Sequence, residues 1–281
     1  MEGRDSDITA VVETALREDT AWNDPTTALL VGKGTRGRAV IRARTAGVVS
    51  GQRCARTAFA LLDRSISYGI DAPDGSSIRG GGTVATVEGT LGPILGGERT
   101  ALNFLQHLSG IATSVRRFVE RIEGTGAVIL DTRKTTPGMR LLEKEAVLHG
   151  GGRNHRMNLA GLVLVKENHI AAAGGLERVI ELLGADMGKA EIEITSLDEL
   201  RMLRGARPAR IMLDNFTPEE AEEAMEELKG WEDRPEIEVS GGVTIETVRS
   251  YALLGVDFIS IGSITASARA LDMSLVVDEV E

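Results

Sequence analysis

The sequence predicts an α/β chain in which a small α+β unit precedes a parallel β/α sheet or barrel. Three observations carry this reading. The short runs AVILD, LVLVK, EIEI, RIMLD, EIEVS and FISIG recur from Ala127 onward with helical patterns between them, as in a parallel sheet with crossover helices. Residues 38 to 95 instead mix a strand-like RAVIRAR, a helix-like CARTAFALLDR and glycine-punctuated β segments through DGSSIRGGGTVATVEGTLG. Aromatic residues make up only 3% of the 281, while 33 glycines and small aliphatic residues fill the turn and apolar positions, the usage of α/β proteins with short connections.

Taken in order, Ile8, Val11, Val12, Ala15 and Leu16 form the stripe of an amphipathic helix that ends near Arg17 or Glu18. After the α+β unit, Leu102, Leu105, Leu108, Ile111, Val115, Phe118, Val119 and Ile122 follow helical spacing, and Ser109 with Gly110 predicts a break into two helices. The six strand-like runs then place chemistry-bearing residues at or just beyond their C-terminal ends: Asp131 with Arg133 and Lys134, then Lys166, Glu193, Asp214, Ser240 with Gly241, and Gly262. In a β/α barrel that end is the active-site face. GGVT before TIETVRSYALL, and IGS before the next helix, offer glycine amides at helix N-termini for a phosphate.

Composition excludes several classes. The net charge is -10 without a basic arm, which argues against nonspecific binding to nucleic acid and against an anionic membrane surface. Few aromatics leave no stacking platform for single strands. The single Cys54 cannot form an internal disulfide, and neither a long apolar run nor a secretory leader is evident, so a reducing cytoplasm is the expected compartment. Charge is uneven, however. From Thr132 to Lys166 seven cations face two anions, a local +5 that leaves -15 on the rest of the chain. A focused pocket for a small polyanion accounts for that better than a broad basic surface. Within it, TRKTTPGMR (132 to 140) combines cations, hydroxyls and a proline–glycine bend that leaves amides free, the chemistry of an anion cradle.

The four histidines, His107, His149, His155 and His169, lack metal-ligand spacing, and no Cys-x-x-Cys occurs, so a permanent zinc is not expected. Glu193 and Asp214 could instead hold Mg²⁺ brought in by a phosphorylated substrate. There is no nucleophile elbow or P-loop, and no G-x-G-x-x-G in a dinucleotide-binding context. His169 reads as structural, Lys144 as part of a solvated helix face, and glycines 150 to 152 as turn formers.

DTRKTTPGMRLLEKEAVLHGGGRNHRMNL, followed by LVKENHI, EIEI, IMLDNF, SGG and ISIG, with GERTALNFLQHLSGIAT upstream, resembles the quinolinate phosphoribosyltransferase family from about Arg42 to Leu275. The resemblance implies an N-terminal α/β sandwich (1–106), an open β/α barrel carrying the active site (107–270), and a C-terminal segment (271–281) packing back on the first domain. It implies the conversion of quinolinate and phosphoribosyl pyrophosphate to nicotinate mononucleotide, pyrophosphate and CO2. Arg99, Arg133, His155, Arg156 and Lys166 match the dicarboxylate pocket. Lys134, Glu193 and Asp214 match the catalytic positions, the two carboxylates lying around the ribose and a substrate-borne Mg²⁺. Ser240, Gly241, Gly242, Gly262 and Ser263 match the 5-phosphate loops. A homodimer, or a higher even-numbered oligomer, is implied, with Arg99 entering the neighbouring subunit's site.

The chain departs from the family pattern at EDTAWNDPTT, around Trp22, and at Ala266, where histidine is common. A related group associated with molybdenum transport loses KTTPG, which is intact here. Two other readings remain at this level: a homologue that binds the ligands without transferring ribose, and a transferase for another pyridine carboxylate. For His155, hydrogen bonding to the NHR loop backbone is the alternative to ligand contact.

Overall fold

The computed structural model describes residues 2–281, with side chains from Asp7 onward. It divides into two compact units, one of Met1–Arg116, Thr135–Gly151 and Thr265–Glu281, the other of Arg117–Lys134 and Gly152–Ile264. Among the described residues no helix is long and apolar enough to cross a membrane.

The chain begins with α1 (Glu2–Glu18), α2 (Pro25–Leu30), β1 (Arg36–Ala43), β2 (Gly47–Val48), α3 (Gln52–Leu62), β3 (Ser67–Ile70), β4 (Ser77–Ile78), β5 (Thr83–Thr90) and α4 (Leu91–Arg121). Helix α1 buries Ile8, Val12 and Leu16, one side of the anticipated stripe, and packs against α3. The first unit's main sheet is antiparallel, in the order β12-β1-β5-β3, where β12 is the final strand Met273–Val280. β1 is an inner strand that buries Gly37, Ala39, Ile41 and Ala43 on one face, while the other face buries Val40 and exposes Arg36 and Arg42.

The expected break at Ser109–Gly110 does not occur, because α4 runs unbroken for 31 residues. Ser109 sits in the helix with its hydroxyl accepting from the Ser50 amide (2.9 Å) and donating to the Ser50 carbonyl (3.1 Å). Gly110 is there for proximity: a Cβ would lie 2.2 Å from the Arg269 carbonyl oxygen. The polar and small residues mark close crossings by other segments, not a kink.

β6 (Val128–Leu130) opens the second unit's sheet, and α5 (Arg140–Gly150) follows within the first unit. Lys144 is not on a solvated face; it is buried, as are its neighbours Leu142, Glu143, Ala146 and Val147. A broader face of α5 is covered than an i, i+4 charge pattern suggests, since Gly150 lets the helix end press onto α4, where a Cβ would lie 2.6 Å from the Ala112 carbonyl. Gly151 then closes the helix at φ +95°, as turn formers do.

The remaining elements are β7 (Val163–Val165), α6 (Glu167–Ala173), α7 (Leu176–Leu183), β8 (Ala190–Ile194), α8 (Leu197–Met202), β9 (Arg210–Asp214), α9 (Pro218–Leu228), β10 (Glu236–Ser240), α10 (Val248–Leu253), β11 (Phe258–Ser260), α11 (Ser263–Ala266) and β12. The six strands β6 to β11 pair in parallel in the order β6-β11-β10-β9-β8-β7. Each strand after β7 joins its predecessor and β11 returns to β6, so this is an open barrel whose gap falls between β6 and β7. In β8 to β11 one face is aliphatic, with Ile192, Ile194, Ile211, Leu213, Ile237, Val239 and Ile259 buried. The other face of these four strands carries Glu191 and Glu193, Arg210 and Asp214, Glu238 and Ser240, and Ser260, with Met212 and Phe258 among them. Barrel interiors are ordinarily filled by branched apolar side chains, so this charge calls for a purpose.

Candidate active site

That purpose is visible at the C-terminal ends of the strands, where a cavity of about 340 Å³ lies wholly within the second unit. Thr132, Arg133 and Lys134 follow β6, Lys166 follows β7, Glu193 lies in β8, Asp214 ends β9, Ser240 ends β10 and Ser260 ends β11, and all of them line it. The parallel register sets Ser240 beside both Asp214 and Ser260. His155 and Arg156 complete the wall from the segment after α5.

That segment covers the open edge of β6. Arg153 donates its amide to the Ile129 carbonyl (2.9 Å) and accepts from the Asp131 amide (3.2 Å), supplying the pairing that a strand would have given. Asp131, fully buried, then accepts from Asn154 Nδ2 (2.7 Å) and from the His155 amide (2.8 Å). One carboxylate thus fixes the turn from which His155 and Arg156 project.

The cations are held by their surroundings. Lys134 donates its amide to Thr132 Oγ1 (3.0 Å), and its stem passes Gly262, where a Cβ would lie 2.9 Å from Lys134 Cδ. Lys166 pairs with Glu193 across the cavity. Its backbone amide donates to His169 Nδ1 (3.0 Å), which gives His169 a structural task. Arg156 Nη1 donates to the Leu162 carbonyl (3.0 Å), and burial followed by the nearby Arg133 pushes its pKa below the usual guanidinium value. Asp214 accepts from Asn215 Nδ2 (2.7 Å), while burial and then the Glu193 charge push its carboxyl above the ordinary range. It does not cap the next helix, because Thr217 caps α9 itself.

The remaining residues singled out in the sequence lie elsewhere. Gly241 and Gly242 follow β10 in left-handed conformations (φ +86° and +63°), and a Cβ on Gly241 would overlap Asn215 Oδ1 at 2.2 Å. The helix after GGVT starts later than anticipated, at Val248, because Thr244 and Thr247 hydrogen-bond each other in a turn. Gly262 and Ser263 follow β11, with Ser263 opening α11. Arg99 lines a different cavity, of about 400 Å³ within the first unit, with Asn103, His107, Thr136 and Met139 among its neighbours. Glu143 stands behind that cavity, accepting from the Thr136 amide (3.3 Å) and lying 2.8 Å from His107 Nε2.

Residues 24–109 match the N-terminal domain of quinolinate phosphoribosyl transferase, and residues 111–276 match its C-terminal domain. The chain belongs to the quinolinate phosphoribosyl transferase family. Every residue lining the barrel cavity falls in the family's C-terminal domain, and Arg99 in its N-terminal domain. The chain is similar to the probable nicotinate-nucleotide pyrophosphorylase [carboxylating] of Methanothermobacter thermautotrophicus, at 38% identity covering 94% of this chain and 97% of the relative. It is similar to the human nicotinate-nucleotide pyrophosphorylase [carboxylating], at 38% identity covering 95% and 91%. The solved nicotinate-nucleotide pyrophosphorylase of Francisella tularensis superposes with a TM-score of 0.90 at 36% identity, covering 98% of this chain and 97% of that one.

Sequence reasoning passed over the layer beneath this family's cavity. His155 Nε2 lies 3.2 Å from Glu191 Oε2 and 3.6 Å from Glu238 Oε1, with both carboxylates fully buried inside the barrel. Arg210 Nη1 lies 2.8 Å from Glu238 Oε2 and 4.0 Å from Glu191 Oε2, and its guanidinium covers the Phe258 ring at 3.9 Å. Burial, then the charge of Glu191, pushes Glu238 up to about 7, against the pull of His155 and Arg210. The signal was present: in AEIEI and EIEVS the carboxylates alternate with aliphatic residues, which puts them on one face of the sheet.

Proposed function

We propose that this chain joins N1 of quinolinate to C1 of phosphoribosyl pyrophosphate, releasing pyrophosphate and then CO2, to give nicotinate mononucleotide for NAD biosynthesis. The observation that carries this reading is the cavity at the barrel's strand ends, where Arg133, Lys134, Arg156 and Lys166 converge on Glu193 and Asp214. Both substrates are anions, and one develops a cationic ribosyl centre. The wall offers charge of both signs.

In this reading Arg133, Arg156 and Lys166 receive the two quinolinate carboxylates, with His155 in the same wall and Arg99 supplied by a second copy of the chain. Charge-assisted hydrogen bonds contribute about 1.5–3 kcal/mol each, so a monocarboxylate would be rejected mainly through the cations it leaves unpaired. The pyridine nitrogen is itself the nucleophile, and no general base is assigned. Lys134 faces the departing pyrophosphate, while Glu193 and Asp214 favour positive charge on the ribose. When the 2-carboxylate leaves, its C–C electron pair remains on C2 beside the quaternised nitrogen, and C2 takes a proton from solvent. Ser240, Gly241, Gly242, Gly262 and Ser263 would hold the 5-phosphate through the loops after β10 and β11.

Glu193 and Asp214 are hard oxygen donors at neighbouring strand ends, and Asp214 is raised by burial and then by the Glu193 charge, a pairing that fits a magnesium ion. Mg²⁺ arriving with phosphoribosyl pyrophosphate would be held by these two carboxylates and would neutralise pyrophosphate charge. A homodimer with shared sites, working in the cytoplasm, completes the proposal. Purified protein supplied with quinolinate, phosphoribosyl pyrophosphate and Mg²⁺ should form nicotinate mononucleotide and CO2 in equal amounts. Binding of both ligands without product would make it a ligand-binding homologue, and turnover of nicotinate in preference to quinolinate would make it a different transferase.

A further inference from the structure

The layer under the cavity contains four ionisable side chains, and the reaction as described uses only His155 among them. His155 Nδ1 accepts the backbone amide of Arg156 at 2.7 Å. A nitrogen that accepts a hydrogen bond carries no proton, so the ring proton sits on Nε2. Nε2 lies at ion-pair distance from Glu191 Oε2 (3.2 Å) and Glu238 Oε1 (3.6 Å), off the line of a hydrogen bond to either, so the carboxylates act on it through charge, and the imidazole is only 7% exposed. Both ring nitrogens therefore face protein groups. The Arg156 amide is clamped one bond from the Cα that carries its guanidinium, while Nη1 of that guanidinium is held by the Leu162 carbonyl (3.0 Å).

We propose that Glu191 and Glu238 are positioning residues: from inside the barrel they hold His155 in its Nε2–H tautomer, so that Nδ1 clamps the Arg156 amide and aims that guanidinium into the quinolinate pocket. The inference rests on the reading of Arg156 as a quinolinate residue, and it recasts His155 as the link between barrel interior and substrate wall. The chemistry parallels metal sites in which a carboxylate fixes the tautomer of a ligating histidine, with a backbone amide in the place of the metal. His155, Glu191 and Glu238 could in principle ligate an ion, since their donor atoms lie within 4.8 Å of one another. The Arg210 guanidinium, 2.8 Å from Glu238, already supplies the positive charge this cluster needs.

The test has a spectroscopic arm and a binding arm. In protein labelled with ¹⁵N-histidine, His155 is assigned as the resonance lost in His155→Asn. Its Nδ1 should report an unprotonated nitrogen and its Nε2 a protonated one. Glu191→Gln and Glu238→Gln should perturb that pattern and weaken quinolinate binding about tenfold by calorimetry, with phosphoribosyl pyrophosphate affinity unchanged. His155→Asn, whose side-chain oxygen can replace Nδ1 as an acceptor, should bind quinolinate more tightly than His155→Gln. A proton on Nδ1 in the wild-type protein, stoichiometric bound metal lost in Glu191→Gln, or quinolinate affinity unchanged in both glutamine variants would overturn the proposal. The spectroscopic arm needs no turnover, so an inactive protein with the expected tautomer would count against the proposed reaction alone.

Discussion

The buried carboxylate of Asp131 accepts the backbone amide of His155 at 2.8 Å, tying the end of β6 to the turn that follows the segment on its open edge. It also accepts Asn154 Nδ2 at 2.7 Å. Asp131→Ala would take the acceptor from the His155 amide and empty a buried carboxylate site, while the exposed Asn154 amide can turn to water, at a cost of about 1–3 kcal/mol in unfolding free energy. Because the turn carries Arg156, quinolinate affinity should fall as well. Denaturant unfolding and calorimetry measure the two effects, and a variant less stable but with unchanged affinity would show that the turn keeps its shape without Asp131.

Gly262 makes room for Lys134. A Cβ there meets a flexible methylene at 2.9 Å, not backbone, so Gly262→Ala should displace the lysine while leaving stability within about 1 kcal/mol of wild type. Turnover should drop about tenfold with little change in quinolinate affinity, since in the proposed reaction the displaced cation faces the leaving group. In a Lys134→Ala background the same substitution should do almost nothing. Additive losses in the double variant would separate Gly262 from Lys134.

Gly110 sets two effects of opposite sign against each other. Glycine to alanine inside a helix gains about 1 kcal/mol from propensity. Here the new Cβ would lie 2.2 Å from the Arg269 carbonyl oxygen, a backbone atom that cannot rotate away. The overlap should win, leaving Gly110→Ala destabilised by about 2 kcal/mol or more. Equal or greater stability on chemical denaturation would mean that the 269–270 segment yields freely.

Glu238 should give the fold a pH dependence. Its carboxyl is raised from 4.5 to about 7, so the folded state holds a proton that the unfolded chain releases earlier. Stability from this group is full below the unfolded value and is lost as the pH rises through about 7. Glu238→Gln carries no charge to develop, so its unfolding free energy should decline less than that of wild type between about pH 5 and 8. Parallel pH profiles would show that Glu238 stays ionised across the range.

Shared sites make the proposed dimer testable by mixing. Arg99→Ala and Lys134→Ala proteins should each be nearly inactive. Refolded together in equal amounts, about half the dimers are mixed, and each mixed dimer has one intact site, so about a quarter of wild-type activity should return. No recovery, with mixed dimers verified by mass spectrometry, would place Arg99 in its own chain's site or outside the chemistry.

Much of this architecture is legible in the sequence. Arg133, Lys134, Lys166, Glu193 and Asp214 could be gathered at one end of the barrel because strand ends are readable from β-branched runs, and parallel strands put those ends together. Glu191 and Glu238 escaped notice because a carboxylate inside a strand looks the same whether it faces water or a barrel interior. Only the curl of the sheet decides. Lys144 and Ser109 were misread for a related reason: local periodicity records what a helix could expose, while tertiary crossings decide what is covered. Asp131 stood out as a strand-end residue, yet its partners lie on a turn beyond an intervening helix, and their pairing has no signature in spacing.

The order of strands in the barrel also sets a schedule for biosynthesis. β7 to β10 each lie beside the next strand to leave the ribosome, so their pairings can form in sequence. β6 has only β11 as a strand partner, joining Val128 to Phe258, and β1 is flanked by β12, which ends at Val280. The strand that leads into Arg133 and Lys134 must therefore wait, unpaired along that edge, until β11 has been made, so the cation-bearing loop gains its footing only after every other strand of the barrel exists.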